Sequence, residues 1–249
     1  MSCELRNWLC GTCLLALCMG AAALQTSPAA PKTVAEKLGY APDARLLVIE
    51  AEDLGMAHSI DKASLEALEK GWVTTAEILV PGPWFPEVVR WARNHPNADL
   101  GVQLDLNAEW VSYRWRPVSI QPAASGLLDP AGYLPNNARY LIQHAKPEEV
   151  AAEFRAQVDD AKKAGIPISH LSAHGDVVMS APWLFQEYWK AGAESALPTV
   201  LAKEYVLRHG NSAQKENLYS VGSVQIDLST LPIDQAIQML PGFDASNGL

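Results

Sequence analysis

Leu46-Leu47-Val48-Ile49-Glu50-Ala51-Glu52-Asp53-Leu54-Gly55-Met56 is the stretch on which the fold turns. The apolar run from Leu46 to Ala51 suits a buried strand, and the acidic pair Glu52-Asp53 follows it. Ser59 is then placed to cap a helix that carries Ile60, Ala63, Ala67 and Leu68 on one face and stops at Gly71. The same strand-then-helix pattern recurs along the chain. Thr74 to Val80 and Asp99 to Leu106 read as strands, separated by the loop Pro81-Gly82-Pro83 and a helix from about Pro86 to Asn94. Pro147 opens a long helix with Glu148 and Glu149 at the positive end of its dipole and Lys162, Lys163 and Gly165 at the other. Ile166 to Leu171 reads as the next strand. Leu197 to Leu201 and Val221 to Leu228 are further strand candidates, with helices near Pro182 to Ala191 and Pro232 to Leu240. Parallel strands with helical crossovers form either an open doubly wound sheet or a closed barrel, and in both the ligands sit at the C-terminal ends of the strands.

The chain has 249 residues, 49% of them hydrophobic and 19% charged, which suits one α/β domain with a substantial core. Its formal charge of −9, with no long basic run, argues against a nucleic-acid partner. Residues 1–24 read as a signal peptide: Arg6, an apolar stretch from Trp8 to Leu24, and Ala21-Ala22-Ala23 as the cleavage site. Export to a periplasmic or secreted location is therefore expected, with no membrane span left after cleavage. Residues 25–43 read as a linker and 44–249 as the domain. Cys3, Cys10, Cys13 and Cys18 all lie in the leader, so disulfides and thiolate ligands are excluded from the mature chain. Metal chemistry there falls to His, Asp and Glu.

Three strand ends carry polar groups suited to such chemistry: Glu52-Asp53, then Gln103 and Asp105, then His170, Ser172 and His174. Converging carboxylates and imidazoles suit a hydrolytic metal, with a second carboxylate to take a proton. An acidic pair after a strand also serves as a helix cap, and a histidine there also serves as a hydrogen-bonded structural group. His58 is placed in a first helical turn, and His95, His144 and His209 lie in polar, loop-like contexts. The stretch from Asn107 to Lys146, with Trp110, Tyr113 and Trp115, breaks the strand-helix alternation and is a candidate pocket wall.

Taken together, Ala51 to Met56, Gly71 to Val80, Gly101 to Asn107 and Ser169 to His174 resemble, in order and spacing, the YdjC-like carbohydrate deacetylases, also called ChbG/HpnK deacetylases. The resemblance runs from about Leu46 to about Gly242. It is strongest to a branch with Trp84-Phe85-Pro86 after the second strand and an aromatic segment holding Glu109, Trp110, Tyr113 to Trp115 and Pro117 to Ser119.

It implies an irregular TIM-like (β/α) barrel and the removal of acetyl groups from N-acetylated sugars with a divalent metal, Mg, Zn or Mn. It implies Asp53 and His174 as metal ligands and Glu52 in the place of the general base. Trp110, Tyr113, Arg114 and Trp115 are then candidates for binding an acetylated carbohydrate or glycolipid-like substrate. Four departures accompany the resemblance. Gln103 stands where the family has its other histidine ligand, Ser172 where it has an acidic residue, and Glu52 where it has aspartate. Relatives also continue past Leu240 to Gly242, so the barrel is expected to be incomplete at its C-terminal end. The departures predict reduced activity, or a carbohydrate-binding relative with an impaired catalytic shell.

Overall fold

The computed structural model describes residues 34–37, 39–44, 46–120, 122, 125–201, 203–212 and 215. The expected leader at 1–24, the expected strand at 221–228 and the expected helix at 232–240 lie outside them. The chain divides into two units, Met1–Asp43 and Ala44–Leu249. In the first, helix α1 spans Val34–Lys37.

The second unit is built on a parallel sheet in the order β1-β2-β3-β4: Glu50–Leu54, Thr75–Ile78, Leu100–Leu104 and Ile168–Ala173. Helix α2 (His58–Glu69) connects β1 to β2, and α3 (Phe85–Ala92) connects β2 to β3. The path from β3 to β4 holds α4 (Ala138–His144) and α5 (Pro147–Lys163), and α6 (Pro182–Ser195) and α7 (Lys203–His209) follow β4. This is the expected α/β class with a parallel sheet. Leu197 to Leu201 supplies one parallel bridge, Thr199 to Leu171, rather than a full strand. Among the described residues no helix is long and apolar enough to cross a membrane.

The apolar face of the sheet explains the core. Ala76, Ile78, Val102, Leu104 and Leu171 are buried, and Val150, Phe154 and Val158 of α5 with Leu184 and Tyr188 of α6 pack into the same cluster. Burying each such large side chain contributes roughly 1.5–3 kcal/mol. Alternate residues of the strands point to the other face, and there they are polar: Glu77, Gln103, Asp105 and Ser172 are also buried.

Two local readings need correction. The first strand begins at Glu50, so Glu52 and Asp53 lie inside β1 instead of after it. The helix α2 starts at His58, with Ala57 at the N-cap position and no side-chain cap, so Ser59 lies within the first turn and does not cap the helix.

The end of β1 is shaped for a purpose. Ala51 pairs with Ala76 and Leu54 with Ile78, so three steps on β1 oppose two on β2 and the strand carries a bulge. Asp53 takes φ 65° there, a left-handed conformation that aspartate tolerates better than most residues. Gly55 follows at φ 95°, and a Cβ on it would lie 2.9 Å from Leu79 O. The buried Asp61 carboxylate accepts a hydrogen bond of 2.6 Å from the Gly55 N–H and locks this turn.

Candidate metal and substrate site

β1, β3 and β4 deliver Asp53, Gln103 and His174 to one end of the sheet. Gln103 is in register with Ser172, and the His174 N–H donates to Leu104 O at 2.9 Å, which continues the β3–β4 ladder past its last paired strand residue. His174 Nδ1 lies 3.1 Å from Asp53 Oδ1, and His174 Nε2 lies 3.2 Å from both carboxylate oxygens of Glu109. Burial works against a charge on His174, but Asp53 and Glu109, with Asp105 nearby, override it and push the imidazole up to about 11.

Four polar atoms here are buried without a hydrogen bond: Asp53 Oδ1, Gln103 Oε1, Asn107 Oδ1 and His174 Nδ1. Buried polar atoms left without partners are costly, and convergent oxygen and nitrogen donors fit a divalent cation. Glu109 on Nε2 is the arrangement that holds a ligating imidazole in one tautomer and aims its other nitrogen at a metal. Gln103 makes the set richer in neutral oxygen than a two-histidine site.

Asp105 sits beneath this set. Burial pushes its carboxyl up to about 7, against the opposing pull of His174, the Asn107 N–H and Trp115. Trp115 Nε1 donates to Asp105 Oδ2 at 2.5 Å, and Gln157 of α5 takes the Asp105 N–H at 2.9 Å while donating to its carbonyl at 2.7 Å.

The segment from 107 to 146 is anchored and only partly irregular. Glu153 of α5 accepts from the Val118 and Ser119 N–H groups at 2.9 Å, and Arg114 Nη2 bonds Asp129 Oδ2 at 2.9 Å and Leu134 O at 2.5 Å. Helix α4 begins inside it, with the Asn137 side chain accepting from the Tyr140 N–H.

The aromatic residues form a series from the surface inward. Trp110 is 50% exposed and Trp115 only 3%. Their rings meet through Tyr113, at 6.4 and 6.3 Å between centroids, and Trp115 then meets His174 edge-on at 6.3 Å. Tyr113 donates its hydroxyl to Met56 O at 2.5 Å, which ties the aromatic segment to the turn after β1. Trp84, 41% exposed, packs at 5.2 Å from the His58 ring, while His58 pairs with Glu87.

Of the residues picked out from the sequence, Asp53, Gln103 and His174 therefore share one end of the sheet, and Trp110 and Tyr113 stand toward solvent beside it. Glu52 is exposed at the same strand end. Arg114 and Trp115 are committed to partners within the protein, Asp129 and Asp105. Asp105 was noted among the polar strand-end residues without a role, and Glu109, Asn107 and Trp84 were not picked out as site residues. From Gly101 to Glu109 the sequence alternates polar and apolar residues without a break, and that period-two signal identifies one continuous polar face.

A family model for YdjC-like proteins matches residues 46–239. The chain belongs to the YdjC-like family. A carbohydrate deacetylase of Thermus thermophilus is 35% identical over 58% of this chain and 48% of its own length. A carbohydrate deacetylase of Brevibacillus brevis is 32% identical over 53% of this chain and 49% of its own. The chain thus spans about half the length of these curated relatives. A crystal structure from Enterococcus faecalis V583, provisionally described as a cellobiose-phosphate cleavage protein, superposes with a TM-score of 0.57 at 25% identity, over 69% of this chain and 63% of that one.

Proposed function

We propose that this chain is a metal-dependent hydrolase that removes acetyl groups from an N-acetylated carbohydrate. The observation that carries the reading is the group of buried donors without hydrogen bonds on Asp53, Gln103 and His174 at an end of the sheet flanked by aromatic rings. Relatives named carbohydrate deacetylases support the substrate class.

Asp53, His174 and Gln103 are the residues that hold the cation, and Glu109 keeps the imidazole oriented. A divalent ion bound there supplies Lewis acidity to the acetamide carbonyl and to a water molecule. Glu52 accepts a proton from the water whose oxygen attacks the carbonyl carbon. The carbon–nitrogen bond then breaks, and the proton passes to the departing nitrogen, leaving acetate and a free amine. Trp110 and Tyr113 offer apolar ring faces to the sugar. Arg114 and Trp115 act through the wall, Arg114 by bracing it and Trp115 by holding Asp105. The neutral Gln103 makes the site weaker for Zn²⁺ than a two-histidine site, so we place its turnover below that of histidine-ligated relatives.

The test is acetate release from short oligomers of N-acetylglucosamine, followed with the wild type, Glu52→Gln and Asp53→Asn. Glu52→Gln is expected to lower kcat by about 10²–10⁴-fold with little change in KM. Asp53→Asn is expected to abolish release. Sugar binding without any release in the wild type would replace this reading with that of a carbohydrate-binding relative.

A further inference from the structure

Elsewhere on the same sheet lies a second convergence of donors. Glu50 on β1, Glu77 on β2 and His170 on β4 each offer one atom, and the three atoms lie within 4.8 Å of one another. His170 stands four residues before His174 and Glu50 three before Asp53, so this cluster is separate from the one described above.

Its spacing is informative. His170 Nε2 is 3.4 Å from Glu50 Oε1 and 3.4 Å from Glu77 Oε1. A charge-assisted hydrogen bond would close to about 2.7–2.9 Å. The ligand-to-ligand edge of a tetrahedron is about 1.63 times its bond length, or about 3.3–3.4 Å for bonds of about 2.0–2.1 Å to zinc. Glu77, with its side chain 1% exposed, keeps Oε1 buried and without a hydrogen bond, facing the imidazole.

The neighbours orient the donors. Ser169 Oγ has one proton and donates it to the Asp99 carboxylate, so at 2.7 Å from His170 Nδ1 it acts as acceptor. Nδ1 therefore carries a hydrogen, and Nε2 is the nitrogen left to face the two carboxylates. The second Glu77 oxygen is held by the Ser172 hydroxyl. A bare backbone position makes the room: a Cβ on Gly101 would lie 2.4 Å from His170 Nε2. Two acidic oxygens converge on one imidazole nitrogen at 3.4 Å, longer than a charge-assisted hydrogen bond and matching the edge of a tetrahedral zinc site.

We infer that Glu50, Glu77 and His170 form a second divalent-metal site of tetrahedral, zinc-type coordination, which joins β1, β2 and β4. Glu50, whose side chain is 25% exposed, gives the cluster access to solvent. Burial pushes Glu77 up to about 8, and on His170 the two carboxylates outweigh burial and push it up to about 9. Zinc binding therefore releases protons.

The experiment uses the full chain with its four cysteines alkylated, and measures bound Zn²⁺ per chain and the visible absorption of the Co²⁺ form. The wild type is expected to bind two equivalents. The Asp53→Asn/His174→Gln double variant is expected to bind one, with the intense visible band of tetrahedral cobalt. Adding Glu77→Gln to the double variant should remove that equivalent and that band, with unchanged far-ultraviolet circular dichroism. His170→Gln should do the same, and serves where Glu77→Gln does not fold. A double variant that is folded but binds no Zn²⁺ would overturn the site. So would an equivalent that survives both Glu77→Gln and His170→Gln, or a wild-type cobalt spectrum with no tetrahedral band. Loss of acetate release alone leaves this site standing, because the double variant reports on it without any turnover.

Discussion

His174 Nδ1 and Asp53 Oδ1 lie 3.1 Å apart, a buried ion-pair contact that falls short of hydrogen-bond geometry. The bulge in β1 brings about this juxtaposition: it turns Asp53 to φ 65° toward the end of β4, where His174 extends the ladder. On the proposed reading, a divalent cation takes the place of the imidazole proton between these two groups.

Glu109 holds the far side of the same imidazole, with both oxygens 3.2 Å from Nε2. Glu109→Gln leaves the ring in place but removes the carboxylate that orients it and raises its basicity. Metal affinity measured by calorimetry is expected to fall by about 10- to 100-fold, with the fold unchanged. An affinity equal to that of the wild type would place Glu109 outside the site.

On the proposed reading, Gln103 sets the choice of metal. Its amide oxygen suits Mg²⁺ or Mn²⁺ better than Zn²⁺, whereas imidazole reverses that order. Gln103→His is expected to raise the affinity for Zn²⁺ relative to Mg²⁺ by at least about tenfold, read by competitive titration. No change in the ratio would show that the Gln103 side chain does not face the ion.

The polar face of the sheet also explains what was legible in the sequence. β2, β3 and β4 were found within about two residues, because Ala76, Ile78, Val102, Leu104 and Leu171 form runs of core positions. β1 was placed too early. The apolar residues Leu46 to Ile49 resemble a buried strand, while Glu50, Glu52 and Asp53 resemble its end, yet the strand runs from Glu50 to Leu54. Polarity usually marks a strand's limit, but here the second face of the sheet lines a site, so polar residues continue inside the strands. Helix α4 was missed because it is seven residues long and buries only Leu141, although Asn137 was present as its capping signal. Glu109 was hidden among conspicuous aromatic neighbours. Asp53, Gln103 and His174 drew attention as polar residues near strand ends, the resemblance then implied their roles, and the structure brings the three to one end of the sheet.

Asp61 predicts a pH dependence of stability. Burial is the main cause that pushes its carboxyl up from 3.8 to about 6, so the folded protein holds this proton more tightly than the unfolded chain does. The resulting stabilisation is fully present below pH about 4 and is lost as pH rises through about 6. Asp61→Asn keeps the acceptor for the Gly55 N–H and removes the charge. Chemical denaturation is expected to show the variant more stable at pH 7, by up to about 3 kcal/mol, with the decline between pH 4 and 6 flattened. An unaltered decline would assign it to another group.

The most direct test of the central claim is the rate of acetate release from N-acetylglucosamine oligomers after chelation, as Mg²⁺, Mn²⁺ or Zn²⁺ is restored, in the wild type and in His174→Gln. The account predicts release that vanishes on chelation, returns with at least one of these ions in the wild type, and does not return in His174→Gln. Release that persists without metal, or that His174→Gln supports as well as the wild type, would contradict it.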